Sequence, residues 1–119
     1  MAAKPYNFTI EAHSTWAVDL RVNPDGPLFD LSGYRAFMHI RSPGSSRRIL
    51  TELSTDNGRI TYPHPEAGIM RILLTPPETA RLDWVNAEYD LVIVAPNNFA
   101  MRLIEGTITV KPAVARWVQ

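Results

Sequence analysis

The sequence has no cysteine. Disulfides, thiolate metal sites and thiol nucleophiles are therefore excluded. It has no net charge either, with 12 basic residues balanced by 12 acidic ones. A chain that neutralises many phosphates carries a basic excess, so nucleic acid is not an expected partner. No apolar run approaches the ~20 residues of a membrane helix, and no membrane contact is expected. The start of the chain, Met1 to Tyr6, has one lysine and no apolar stretch behind it, which does not read as a secretory signal. Histidine is scarce. His13, His39 and His64 are the only three, and no two of them have the i, i+4 spacing of a helical zinc site.

What is present is a chain of 119 residues, 45% hydrophobic and 20% charged, a composition that supports one packed core. Period-2 alternation runs through most of it. Phe8, Ile10 and Ala12 alternate with Thr9, Glu11 and His13. Trp16, Val18, Leu20 and Val22 alternate with Ala17, Asp19 and Arg21. Tyr34, Ala36, Met38 and Ile40 share one face, opposite Arg35, Phe37, His39 and Arg41. Such patterns predict strands with one buried side. Turn chemistry separates them: Asn23-Pro24-Asp25-Gly26-Pro27, Ser42-Pro43-Gly44, Asp56-Asn57-Gly58 and Asn97-Asn98. Arg47 to Leu53 reads as a return strand, and a short strand follows near Arg59 to Tyr62. Gly68 opens another strand, with Met70, Ile72 and Leu74 inward. Thr75-Pro76-Pro77-Glu78 has an N-cap, a proline at the first helical position and the acid of a capping box. It predicts one short helix over 76–82. Tyr89, Leu91 and Ile93 lie on one arm of a last hairpin, and Phe99 to Val110 returns, with a bulge expected at Gly106. The sum is an all-β fold, an antiparallel β-sandwich of about seven to eight strands with one short helix. Residues 1–112 form the single expected domain, and 113–119 a C-terminal tail.

The order of these pieces resembles a known family. Asp30-Leu31-Ser32-Gly33-Tyr34, followed by alternation ending in His39-Ile40-Arg41, is similar to a D-L-[ST]-G-Y…I-R pattern of small phage and prophage proteins. Asn57 to Ile60, Leu74 to Ala80, Tyr89-Asp90-Leu91 and Arg102 to Val110 follow in the matching order. The resemblance covers about residues 6 to 112. Those proteins look like phage tail or baseplate components, similar in their opening strands to the N-terminal domain of upper baseplate proteins. The resemblance implies an immunoglobulin-like sandwich and a structural role in the virion. It carries no catalytic residue. At His13-Ser14-Thr15-Trp16 this sequence departs from the glycine-containing turn such proteins often have.

A search for chemistry yields little. Asp56-Asn57-Gly58 is a fragment of a calcium loop without the remaining ligands, and a plain turn explains it. No pair of carboxylates stands out as a glycosidase pair. Nucleophile-elbow, phosphate-loop and dinucleotide motifs are absent. The expectation is a non-enzymatic protein without cofactor or metal. It is expected in the virion, made in the bacterial host cytoplasm. It would act through protein–protein contacts with other tail or baseplate proteins and be present in several copies. Candidate contact residues are Trp117 and Val118 at the apolar chain end, Arg47 and Arg48 beside the Ser45-Ser46 turn, and Phe37. Phe37, Ile69, Leu73, Val92 and Val94 all fall opposite the assigned core positions, which implies either a shifted strand register or an outer surface covered by partners, with partners the favoured reading. The alternatives are a receptor- or carbohydrate-binding module at the tail tip and a head decoration or head–tail joining protein.

Overall fold

A computed structural model of the chain describes residues 4–23, 26–43 and 49–115. The strands are β1 (Lys4–Pro5), β2 (Phe8–Glu11), β3 (Trp16–Arg21), β4 (Arg35–Arg41), β5 (Ile49–Ser54), β6 (Ile60–His64), β7 (Ile69–Leu74), β8 (Asn86–Val94) and β9 (Ala100–Lys111). A 3-10 turn covers Pro65–Ala67, and a short helix, α1, covers Pro76–Ala80. Two sheets form. The larger has the order β1-β9-β8-β4-β5, with β2 also on β9, and the smaller has the order β3-β7-β6.

The alternation sets which side chains meet between the sheets. From the larger sheet, Ile10, Ala36, Met38, Ile40, Leu53, Leu91, Ile93 and Ile108 are fully buried. From the smaller, Ile60, Met70, Ile72 and Leu74 are fully buried and Trp16 nearly so. Each large aliphatic side chain in this layer contributes roughly 1.5–3 kcal/mol of burial. Phe37, Val92 and Val94 lie on the outside of the larger sheet, and Ile69 and Leu73 on the outside of the smaller, as their alternation predicts.

Several details differ from the sequence reading. β1 and β2 pair with β9 in parallel, so the sandwich has one joint that is not antiparallel. β2 ends at Glu11, and His13 is half-buried in a turn with φ of 66° rather than outward on a strand. The helix ends at Ala80, because Leu82 N–H bonds back only three residues, to Thr79 C=O. The bulge on β9 is at Leu103, where the register steps from Leu91↔Ile104 to Val92↔Arg102, whereas Gly106 pairs regularly with Tyr89.

At α1 the expected capping chemistry forms. Thr75 donates from its amide (2.9 Å) and its hydroxyl (3.0 Å) to Glu78 Oε1, while Arg59 donates to Glu78 Oε2. Partial burial pushes the Glu78 carboxyl up, but the two Thr75 donors and Arg59 outweigh it and hold its pKa below the ordinary 4.5. The sign follows: the contribution is complete above the unfolded value and is lost as pH falls through the lower folded one. Glu78→Gln is expected to cost about 1 kcal/mol at neutral pH and nothing once the acid is protonated. Urea midpoints for both proteins between neutral and strongly acid pH should therefore converge on acidification; parallel curves would refute this assignment.

Candidate partner-binding surface

The outer face of the larger sheet is built in cross-strand rows. Arg35, Phe37, His39 and Arg41 point outward from β4 at every second residue. Their partners on β8 are Val94, Val92, Asp90 and Glu88. On the far side of β8, Val92 pairs with Arg102 and Asp90 with Glu105 of β9. On the other side of β4, Phe37 faces Ser54 and His39 faces Glu52 of β5. The centre of this face is thus apolar, made by Phe37, Val92 and Val94, all half-buried in the isolated chain.

Charged groups close around that centre. The Arg35 guanidinium carbon lies 4.8 Å from the Phe37 ring centroid, and Arg35 Nη2 is 2.7 Å from Asp56 Oδ2. Asp56 fixes the far side of Arg35 and leaves its planar group across the ring, an arrangement of the cation–π type. The Asp56 carboxylate raises the Arg35 pKa above its ordinary value. Along the next row, His39 Nε2 is 3.5 Å from Glu52 Oε1, and His39 Nδ1 is 3.4 Å from Arg41 Nη2. Arg102 Nε lies 3.4 Å from Asp90 Oδ2, with its Nη1 3.6 Å from Glu105 Oε1. Exposed pairs of this kind contribute little to stability, because solvent screens them. They hold orientation around the apolar centre, which is the anatomy of a contact surface: an apolar middle inside a polar rim.

Of the residues expected from sequence to make contacts, only Phe37 can be placed here. Trp117, Val118, Arg47 and Arg48 lie outside the described residues. Leu28 and Phe99 are among the exposed apolar positions that were not anticipated. Leu28 is 68% exposed in the loop between β3 and β4, and Phe99 is 63% exposed at the tip of the β8–β9 hairpin. The two loops meet where Gly33 faces Pro96. A signal for Phe99 existed in Asn97-Asn98. Asn98 adopts φ of 70°, and Asn97 Oδ1 accepts the Phe99 N–H at 3.1 Å, which keeps Phe99 in the turn and starts β9 one residue later. At the opposite end of the sandwich, two shallow grooves of about 360 and 350 Å³ share Ala12, His13, Pro112 and Ala113. Trp84 lines the second of them half-buried. Among the described residues, no cluster of three or more His, Asp or Glu side chains is placed to hold a metal ion.

No protein-family model matches the chain, and no curated protein matches its sequence. Among solved structures, it is similar to a chain in the crystal structure of ICOS in complex with ICOS-L and an anti ICOS-L VNAR domain. The match has a TM-score of 0.52 at 11% identity and covers 93% of this chain and 56% of that chain. The fold is immunoglobulin-like. The sheets β1-β9-β8-β4-β5 and β3-β7-β6 are the two layers of that sandwich. The Tyr89 hydroxyl donates at 2.6 Å to Tyr6 C=O, tying down the N-terminal strand.

Proposed function

We propose that the protein is a non-enzymatic structural component of a phage tail or baseplate and docks neighbouring subunits on the outer face of its larger sheet. The observation that carries the docking part is the apolar centre at Phe37, Val92 and Val94 flanked by Arg35, His39 and Arg102. The ordered sequence motifs from Asp30-Leu31-Ser32-Gly33-Tyr34 to Arg102–Val110 support the phage part. Central aromatic residues of such surfaces carry much of the binding energy, at about 2 kcal/mol or more on truncation. Phe37→Glu buries a charge in that contact, yet in the free chain it replaces a half-buried outer residue. Its expected effect on the isolated domain is about 1 kcal/mol or less. In purified particles, quantified by mass spectrometry, incorporation of Phe37→Glu should fall about tenfold or more. Full incorporation would remove this face from the proposal.

A second reading rests on Phe99 and its neighbours Asn97 and Asn98. An exposed aromatic ring flanked by amides at a hairpin tip suits a carbohydrate- or receptor-binding module at the tail tip. Glycan-array binding by the isolated domain would favour it. A silent array together with Phe37-dependent incorporation would favour docking.

A further inference from the structure

The smaller sheet ends in a strand whose free rim carries a self-complementary charge pattern. Among the described residues, β3 is bonded to β7 alone. Just beyond the Arg21↔Ile69 pair, Val22 N–H donates to Gly68 C=O at 2.8 Å. Main-chain groups alternate sides along a strand. Trp16, Val18 and Leu20 therefore bond toward β7, and Ala17, Asp19 and Arg21 turn their N–H and C=O groups away from the sheet. Among the described residues no backbone group meets them. The side chains of Ala17, Asp19 and Arg21 are exposed, while Val18 and Leu20 beneath the rim are only half-buried. A free row of this kind is a template for another strand.

We propose that β3 pairs with β3 of a second copy of this chain, antiparallel about a two-fold axis. Asp19 then lies opposite Arg21 of the second copy, and Leu20 opposite its own equivalent. The register follows from chemistry. Outward-facing groups must meet outward-facing groups, so odd-numbered residues pair with odd-numbered ones. Placing Asp19 on Asp19 sets like charges directly opposite, which is unfavourable. Placing Asp19 on Ala17 leaves Arg21 beyond the strand. The remaining register sets acid against base twice, as a two-fold axis requires. Arg71 already donates to Asp19 from Nε at 2.8 Å and from Nη2 at 3.1 Å, all on the outer face. In the pair, each Asp19 carboxylate lies between two guanidiniums. Arg21 has no acidic partner among the described residues of its own chain. The product is one continuous six-stranded sheet, β6-β7-β3 joined to its copy.

This pairing is on the opposite sheet from Phe37, so it stands or falls separately from the proposed docking face. The test is sedimentation velocity on the full chain across a concentration series, with Phe37→Glu as a control that should dimerise like the parent. Arg21→Asp sets two acids opposite two acids and should weaken dimerisation about tenfold or more. Arg21→Lys should preserve it. The chain has no cysteine, so single thiols report the register under mild oxidation. Leu20→Cys should form a disulfide-linked dimer, and Val18→Cys, four residues from its equivalent, should not. A monomer at every concentration, a dimer unaffected by Arg21→Asp, or equal cross-linking of the two thiol variants would overturn the proposal. Should Leu20→Cys unfold, the Arg21 variants still decide, because Arg21 is exposed.

Discussion

Gly106→Ala is expected to unfasten the N-terminal run from the larger sheet and to lower stability by about 3 kcal/mol. A Cβ at this position would stand 2.1 Å from Tyr6 C=O and 2.7 Å from Asn7 Oδ1. Neither can yield cheaply. The Tyr6 carbonyl accepts from the Tyr89 hydroxyl, and Tyr6 N–H donates to Glu105 C=O at 2.8 Å. Asn7 Oδ1 accepts the Thr107 N–H at 3.0 Å, with a side chain doing the work of a missing ladder bond between β1 and β2. One methyl group therefore displaces a backbone segment held by three hydrogen bonds, of which the part-buried Tyr89–Tyr6 bond is the costliest to lose, at about 1–3 kcal/mol. For a chain of this length, the midpoint of thermal unfolding should fall by roughly 10 °C. Amide exchange locates the damage. Protection at Ile10 should drop well before that at Met38 or Leu91, since β4 and β8 do not depend on the N-terminal run. Uniform loss across the sheet would mean that β1 and β2 are not a separable unit. Tyr89→Phe removes one of the three bonds and should reproduce a milder form of the same pattern, about 1–2 kcal/mol.

The parallel attachment that Gly106 permits is also the part of the fold least legible in sequence. Alternation tells which residues of 8–12 face inward, and Phe8 and Ile10 are indeed core. It says nothing about which strand they join, because pairing is decided by a partner a hundred residues away. Gly106 illustrates the limit. A glycine in a strand pattern signals either a bulge or a close approach of another backbone. The bulge fell instead at Leu103, where the extra residue still packs against the core, and the close approach fell at Gly106. By contrast, Thr75-Pro76-Pro77-Glu78 was fully legible, since capping chemistry is local. Phe37 was legible as an outward apolar residue by its offset from Ala36 and Met38. Its surroundings were not, because Arg35, Asp56 and Arg102 come from separate elements that only the sheet brings together.

Leu31→Ala is expected to cost about 3 kcal/mol, within the 2–5 kcal/mol range of buried leucine truncations, although Leu31 belongs to no strand. It is fully buried. Its own N–H bonds to Pro65 C=O at 2.8 Å, and its C=O accepts the Tyr34 N–H at 2.9 Å. Its neighbours shape that placement. Asp30 Oδ1 accepts the Ser32 N–H at 2.9 Å, Gly33 adopts φ of 81°, and Tyr34 then leads directly into β4. The Tyr34 carbonyl in turn accepts the Tyr62 hydroxyl, whose pKa burial pushes up to about 12. The motif that carries the family resemblance is thus a core-plugging turn that launches the strand bearing Phe37. Its residues should therefore matter in proportion to burial and backbone geometry. Ser32→Ala, with an exposed side chain, should change stability by about 0.5 kcal/mol or less. Gly33→Ala should cost about 1–2 kcal/mol for its positive φ, with Pro96 crowding it further at 3.1 Å. Urea denaturation of the three variants tests the ranking. If Ser32→Ala proved as damaging as Leu31→Ala to particle incorporation while leaving stability intact, the motif would itself be a contact site, and its role would not be reducible to the fold.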